Sequence, residues 1–124
     1  MEELILSPLG HTWILDLDGT VVKHNGYKTD GEDSFLPGAE EFLRNIPDKD
    51  MIVFLTSRSE EYRSITEGFL RKKGIRYDHI IFDAPYGERI LINDNKPSGL
   101  RTGITVDGCR DTSFLPSVVI DEEL

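Results

Sequence analysis

Asp16 and Asp18 stand one residue apart at the end of the apolar run TWILDL and are followed at once by Gly19 and Thr20. Carboxylates among apolar residues are costly unless paired or bound to a cation. Two further polar clusters follow apolar runs directly: Thr56-Ser57-Arg58 after MIVFL, and Asn93-Asp94-Asn95-Lys96 after RILI. Brought together, the three clusters supply carboxylates, a hydroxyl and a cation at one place. Hard carboxylate oxygens suit Mg²⁺, which is held by one or two carboxylates together with waters and substrate phosphate. A carboxylate so held can attack phosphorus and split a hydrolysis into two easier steps. A second carboxylate, kept off the metal, can protonate the leaving oxygen and then activate water. Gly19 permits the sharp turn that aims this second group back at the site.

The elements that must position these groups alternate along the chain. The pattern predicts a strand over 12–17. Residues 21–36 are polar and turn-rich, a flap-like excursion rather than a core element. Pro37 sits where a helix would begin, and Ala39, Phe42, Leu43 and Ile46 form its apolar face. MIVFL (51–55) lacks alternation, as in a strand buried on both faces of a parallel sheet. SRSE (57–60) matches a capping box, with Ser57 as N-cap and Glu60 reaching back. Tyr62, Ile65, Thr66, Phe69 and Leu70 follow at helical spacing up to Gly74. Further strands are expected over 79–82, 89–93 and 103–106, with SVVI near the end as an edge strand. Such alternation implies an α/β fold, a parallel sheet with helices on its faces, in which ligands bind beyond the carboxyl ends of the strands. At 124 residues the chain reads as one domain, 1–124.

The motifs resemble those of the haloacid dehalogenase (HAD) superfamily. ILDLDGTV looks like its first motif, and VFLTSR is similar to its second, an apolar strand ending in Thr or Ser. ILINDNK looks like its acidic fourth motif, with Asn93-Asp94 where paired aspartates are usual. The resemblance spans residues 12 to 96. It implies a three-layer Rossmannoid fold with helices on both faces of the sheet, and a Mg²⁺-dependent phosphomonoester hydrolase working through an aspartyl-phosphate. By that resemblance Asp16 is nucleophile and metal ligand, and Asp18 is acid/base and also a metal ligand, through its carbonyl. Asp94 is a metal ligand and Thr56 a phosphate ligand. Gly19, Thr20, Ser57 and Arg58 complete the expected substrate contacts.

The superfamily's third motif is a cation, often in a Lys-Pro pair, but here Ala84 precedes Pro85. Lys96 is the expected substitute because it lies past the strand end. Arg89 would open the same strand, about 15 Å away at strand rise, and Lys72 and Lys73 are more distant. The short intervals between motifs leave no room for a cap domain, which resembles the capless branch. Members of that branch act on macromolecular ends, or on small substrates with a neighbouring subunit as lid. The alternative is a catalytically weak, Mg²⁺-binding regulatory domain, to which the missing lysine points and against which Asp18 speaks.

Acidic residues outnumber Lys and Arg by 23 to 14, a net charge of −9. No basic footprint for nucleic acid is visible, so the charge favours a small phosphorylated metabolite; analogy with small capless members adds sugar phosphates. RKKGIR (71–76) reads as a helix end rather than a binding patch. The single cysteine, Cys109, cannot close an internal disulfide, which suits a reducing cytoplasm. No apolar run approaches the roughly 20 residues that span a bilayer, and the acidic start MEELILSPLG does not resemble a secretory leader. His11, His24 and His79 show no metal-ligand spacing.

Overall fold

A computed structural model describes residues 2–124. The elements are β1 (Glu3–Leu6), β2 (Thr12–Leu15), α1 (Gly26–Thr29), α2 (Ala39–Arg44), β3 (Met51–Leu55), a 3₁₀ turn (Glu60–Tyr62), α3 (Arg63–Lys72), β4 (His79–Ile81) and β5 (Ser117–Ile120). They make a small α/β fold with two parallel sheets, one in the order β2-β3-β4 and a smaller one pairing β1 with β5.

The register explains which side chains are buried. Trp13 lies opposite Ile52, Leu15 opposite Phe54, and Phe54 opposite Ile80. These positions share one face of the pleat, and Leu15, Ile52, Phe54 and Ile80 are buried in one cluster with Leu43 of α2 and Leu70 of α3. The other face carries Ile14, Met51 and Ile81, all exposed. MIVFL is therefore a strand as expected, but it is buried on one face instead of two. Correspondingly, the buried residues of both longer helices join the same side of the sheet.

Local chemistry sets the helix ends. Gly38, in the left-handed region at φ 82°, turns the chain into α2, so the helix starts two residues beyond Pro37. Arg44 closes α2 by pairing with Glu40 and donates to the carbonyls of Lys73 and Gly74, tying the ends of α2 and α3 together. Ser59, not Ser57, caps the start of the 3₁₀ turn, its hydroxyl accepting from the Glu61 N–H. Glu60 pairs instead with Arg63. The basic cluster is a helix end, with Arg71 and Lys72 in the last turn of α3.

Three expectations change. Residues 89–93 and 103–106 form no strand; Ile90 and Ile92 are 82% and 90% exposed, an apolar run that finds no neighbouring strand among the described residues. The first strand ends at Leu15, so both aspartates lie beyond the ladder. The excursion is part of the core at its start: Val21 and Val22 are buried, and Val22 bridges both Asp18 and Phe35.

Candidate active site

Where β2 stops, the chain folds over the carbonyl of Leu17, which accepts from the N–H groups of Thr20, Val21 and Val22. Leu17 is buried, and the alternation of the chain leaves Asp16 and Asp18 on the opposite side from it. Gly19 has φ 84°, and its N–H donates to the Val22 carbonyl at 2.7 Å. A side chain there would be strained, and its Cβ would lie 2.7 Å from Arg110 Cγ. The loop carrying Arg110 is fastened to this turn. Asp111 N–H donates to the Gly19 carbonyl, and the Asp111 carboxylate accepts from the His24 N–H.

Asp16 is about one-third exposed, and its Oδ1 lies 3.4 Å from Nη1 of Arg89. Arg89 also donates from Nη2 to the Ser57 hydroxyl at 3.4 Å, so one guanidinium bridges the ends of β2 and β3. The expectation that Arg89 lies far from Asp16 is corrected. Because 89–93 is not a strand running away from the site, Arg89 is not held at its far end. Lys96 is exposed and makes only backbone hydrogen bonds, with Leu100 and Gly99; its ammonium enters no ion pair among the described residues.

Asp18 is held differently. Its Oδ2 accepts from Nε of Arg58 at 2.9 Å, and its Oδ1 from Nη2 at 3.0 Å and from the Asn25 N–H at 3.3 Å. Arg58 continues to Asp33, at 3.0 and 2.7 Å, and to the Thr66 hydroxyl at 2.8 Å. All five of its N–H donors are thereby engaged, and its guanidinium lies 4.0 Å from the centre of the Tyr27 ring. Burial opposes the charge on Arg58, but the bonds to Asp33 and Asp18 outweigh it and raise its pKa above the ordinary guanidinium value. Burial, and after it the charge of Asp18, raise the Tyr27 phenol. Arg58, expected to contact substrate, here spends every donor on the protein's own groups.

Thr56 is also enclosed. Its N–H donates to the Ile81 carbonyl, its carbonyl accepts from Ala84, and its hydroxyl accepts from the Arg58 N–H at 3.1 Å. It shapes the turn after β3 and, with no exposed surface, does not present its hydroxyl to a phosphate. Ser57 is the more accessible hydroxyl of the pair, donating weakly to the Pro85 carbonyl at 3.4 Å. Thr20 is half-buried and donates its N–H to the Leu17 carbonyl. Asp94 lies on an exposed loop where Thr102 caps its carbonyl, and no three His, Cys, Asp or Glu side chains gather as a metal site among the described residues. The expected set is a different one, the carboxylates of Asp16 and Asp94 with the backbone carbonyl of Asp18, and of its members Asp94 sits on the exposed loop. Asp16 is a hard, accessible carboxylate, the ligand type that Mg²⁺ takes beside water and substrate phosphate.

Sequence reasoning missed Asp33, read as part of a polar turn, and misplaced Arg89. The acidic run DGED carried no signal that one of its members would be buried. Scans against protein-family models, characterised proteins and solved structures return no match. No helix among the described residues is long and apolar enough to cross a membrane.

Proposed function

We propose that the protein is a HAD-type phosphomonoester hydrolase in which Asp16 attacks phosphorus. One observation carries the reading: an accessible carboxylate just past the end of a parallel strand, beside a bridging arginine and two residues from a second carboxylate. Arg89 has the geometry to neutralise a phosphoryl oxygen next to Asp16, the role the sequence resemblance assigns to its third motif. Ser57, on the same guanidinium, is the accessible hydroxyl for the phosphate.

In the first step an Asp16 oxygen forms a bond to phosphorus as the ester P–O bond breaks, and Asp18 gives its proton to the departing oxygen. In the second, Asp18 takes a proton from water, which attacks phosphorus and frees Asp16. A carboxylate has about four lone-pair sites; the contacts with Arg58 and Asn25 occupy three on Asp18 and leave one on Oδ2 for this exchange. Asp16 would hold Mg²⁺, which would supply charge neutralisation for the phosphoryl group. The three-layer HAD arrangement, with cover over the exposed Ile14, Met51 and Ile81 face, belongs to the same proposal. So do a small phosphorylated metabolite as substrate, which the net charge of −9 supports, a neighbouring subunit as lid, and a cytoplasmic setting.

The grip of Arg58 on Asp18 favours a second reading, a regulatory domain in which phosphorylated Asp16 persists. A screen over sugar phosphates, nucleotides and phosphopeptides, with Mg²⁺ and with EDTA, separates the two. Repeated Mg²⁺-dependent phosphate release supports the hydrolase. A burst of one equivalent without turnover supports the regulatory domain, and no reaction with any phosphoester counts against both.

A further inference from the structure

The Arg58 cluster joins three separate parts of the chain at one guanidinium. Asp18 comes from the turn after β2, Asp33 and Tyr27 from the 21–36 excursion, and Thr66 from α3. Arg58 itself is pinned at the end of β3 by its N–H on the Thr56 hydroxyl. The side chains of Arg58 and Asp33 are 1% and 2% exposed, whereas that of Asp18 is 15% exposed.

Stability does not explain such an arrangement. Buried ion triads are often matched or exceeded in stability by apolar residues of similar volume, whereas removal of one member leaves a buried charge unpaired. What a planar guanidinium does supply is geometry, since its fork fixes two carboxylates in direction as well as distance. Here one of the two, Asp33, is wholly enclosed, and the other, Asp18, two residues from Asp16, keeps exposed surface. The enclosed partner is the anchor, and the accessible one is what the anchor aims.

We propose that Arg58 is a positioning residue that orients the Asp18 carboxylate, and that Asp33 makes the 21–36 excursion part of the same clamp. The kinetic consequence rests on the phosphatase reading; the structural half does not. If Asp18 must protonate a departing oxygen, loss of its orientation slows esters whose leaving groups need that proton. It spares those whose leaving groups depart without it.

The informative variants are Arg58→Lys, which keeps the charge and removes the fork, and Asp33→Asn, which keeps the shape and removes the anchor charge. Arg58→Ala is avoided because it strands two carboxylates in the interior. Both variants are compared with the parent on an alkyl phosphate and on p-nitrophenyl phosphate. With Arg58→Lys, kcat on the alkyl ester should fall by about 10²-fold, the lower end of general-acid contributions, with KM nearly unchanged. On the nitrophenyl ester the fall should stay within about threefold, because an interaction made only with a poor leaving group is the one removed. Asp33→Asn should show the same pattern at smaller amplitude. Hydrogen exchange supplies the second readout: amides of 21–36 should lose protection in both variants while those of β3 keep theirs. Equal losses on the two esters, or unchanged kcat on both, overturn the orienting role. A parent that hydrolyses neither these esters nor any phosphoester of the screen refutes the phosphatase reading instead, and exchange then decides alone: unchanged protection over 21–36 in both variants overturns the clamp.

Discussion

Replacing Arg89 by methionine removes the one cation beside Asp16 among the described residues and keeps most of the side chain's length. At the observed 3.4 Å separation, Coulomb's law gives about 5 kcal/mol for two unit charges at an effective dielectric of roughly 20, and about 1 kcal/mol in bulk water. Both side chains are more than one-third exposed, so the relevant figure lies between these limits, about 2–3 kcal/mol. At about 1.4 kcal/mol per factor of ten, that is a loss of roughly 30- to 150-fold in kcat/KM. Folding should hardly change, because exposed pairs contribute only about 0–1 kcal/mol. The assay is phosphate release at substrate concentrations far below KM, alongside thermal melts of both proteins. Lys96→Ala, made in parallel, should stay within about twofold of the parent, since its ammonium touches no charged group among the described residues. The opposite ranking, with Lys96→Ala crippled and Arg89→Met near parental activity, would refute the assignment of the cation.

Gly19→Ala should destabilise the protein by about 1–2 kcal/mol, the cost of a Cβ in left-handed backbone, because φ is 84° and Arg110 must also move; urea titrations that coincide with the parent's would contradict this. Asp50 governs an acid limb. Burial raises its carboxyl, but hydrogen bonds from Trp13 Nε1 and the His11 N–H outweigh that and hold it below its ordinary 3.8. Its folded value is thus the lower one, so its contribution is present above the ordinary value and is lost as pH falls through the folded value. Unfolding free energy followed by urea from pH 6 downward should decline more gently in Asp50→Asn than in the parent, and parallel curves would show that Asp50 is not the source.

What could be read in advance follows how local each determinant is. MIVFL is a strand because its alternate residues Ile52 and Phe54 fill the core, and a short apolar run bounded by polar residues states as much. Asp16, Asp18 and Gly19 lie just past a strand end because the turn over Leu17 is built from neighbours in sequence. Arg58 could not be placed this way. Its partners Asp18 and Asp33 are 40 and 25 residues distant, and a serine-arginine pair opening a helix looks solvated. RILIN has strand composition, yet composition does not provide a neighbouring strand, and without one the run stays exposed while Arg89 turns to Asp16. Ser57 fits a cap by its pattern, but Ser59 accepts the free N–H, in a turn where the Asp83 carboxylate also accepts from the Glu60 N–H.

A nucleophilic Asp16 must become covalently phosphorylated during turnover. Parent protein and Asp16→Asn are each mixed with a phosphoester that the parent hydrolyses, quenched in acid within the first turnover, digested and weighed by mass spectrometry. The parent's peptide containing Asp16 should carry the added mass of one phosphoryl group, and Asp16→Asn, at equal folding by circular dichroism, should show neither adduct nor phosphate release. Turnover by Asp16→Asn, or an adduct on any other residue, would contradict a nucleophilic Asp16.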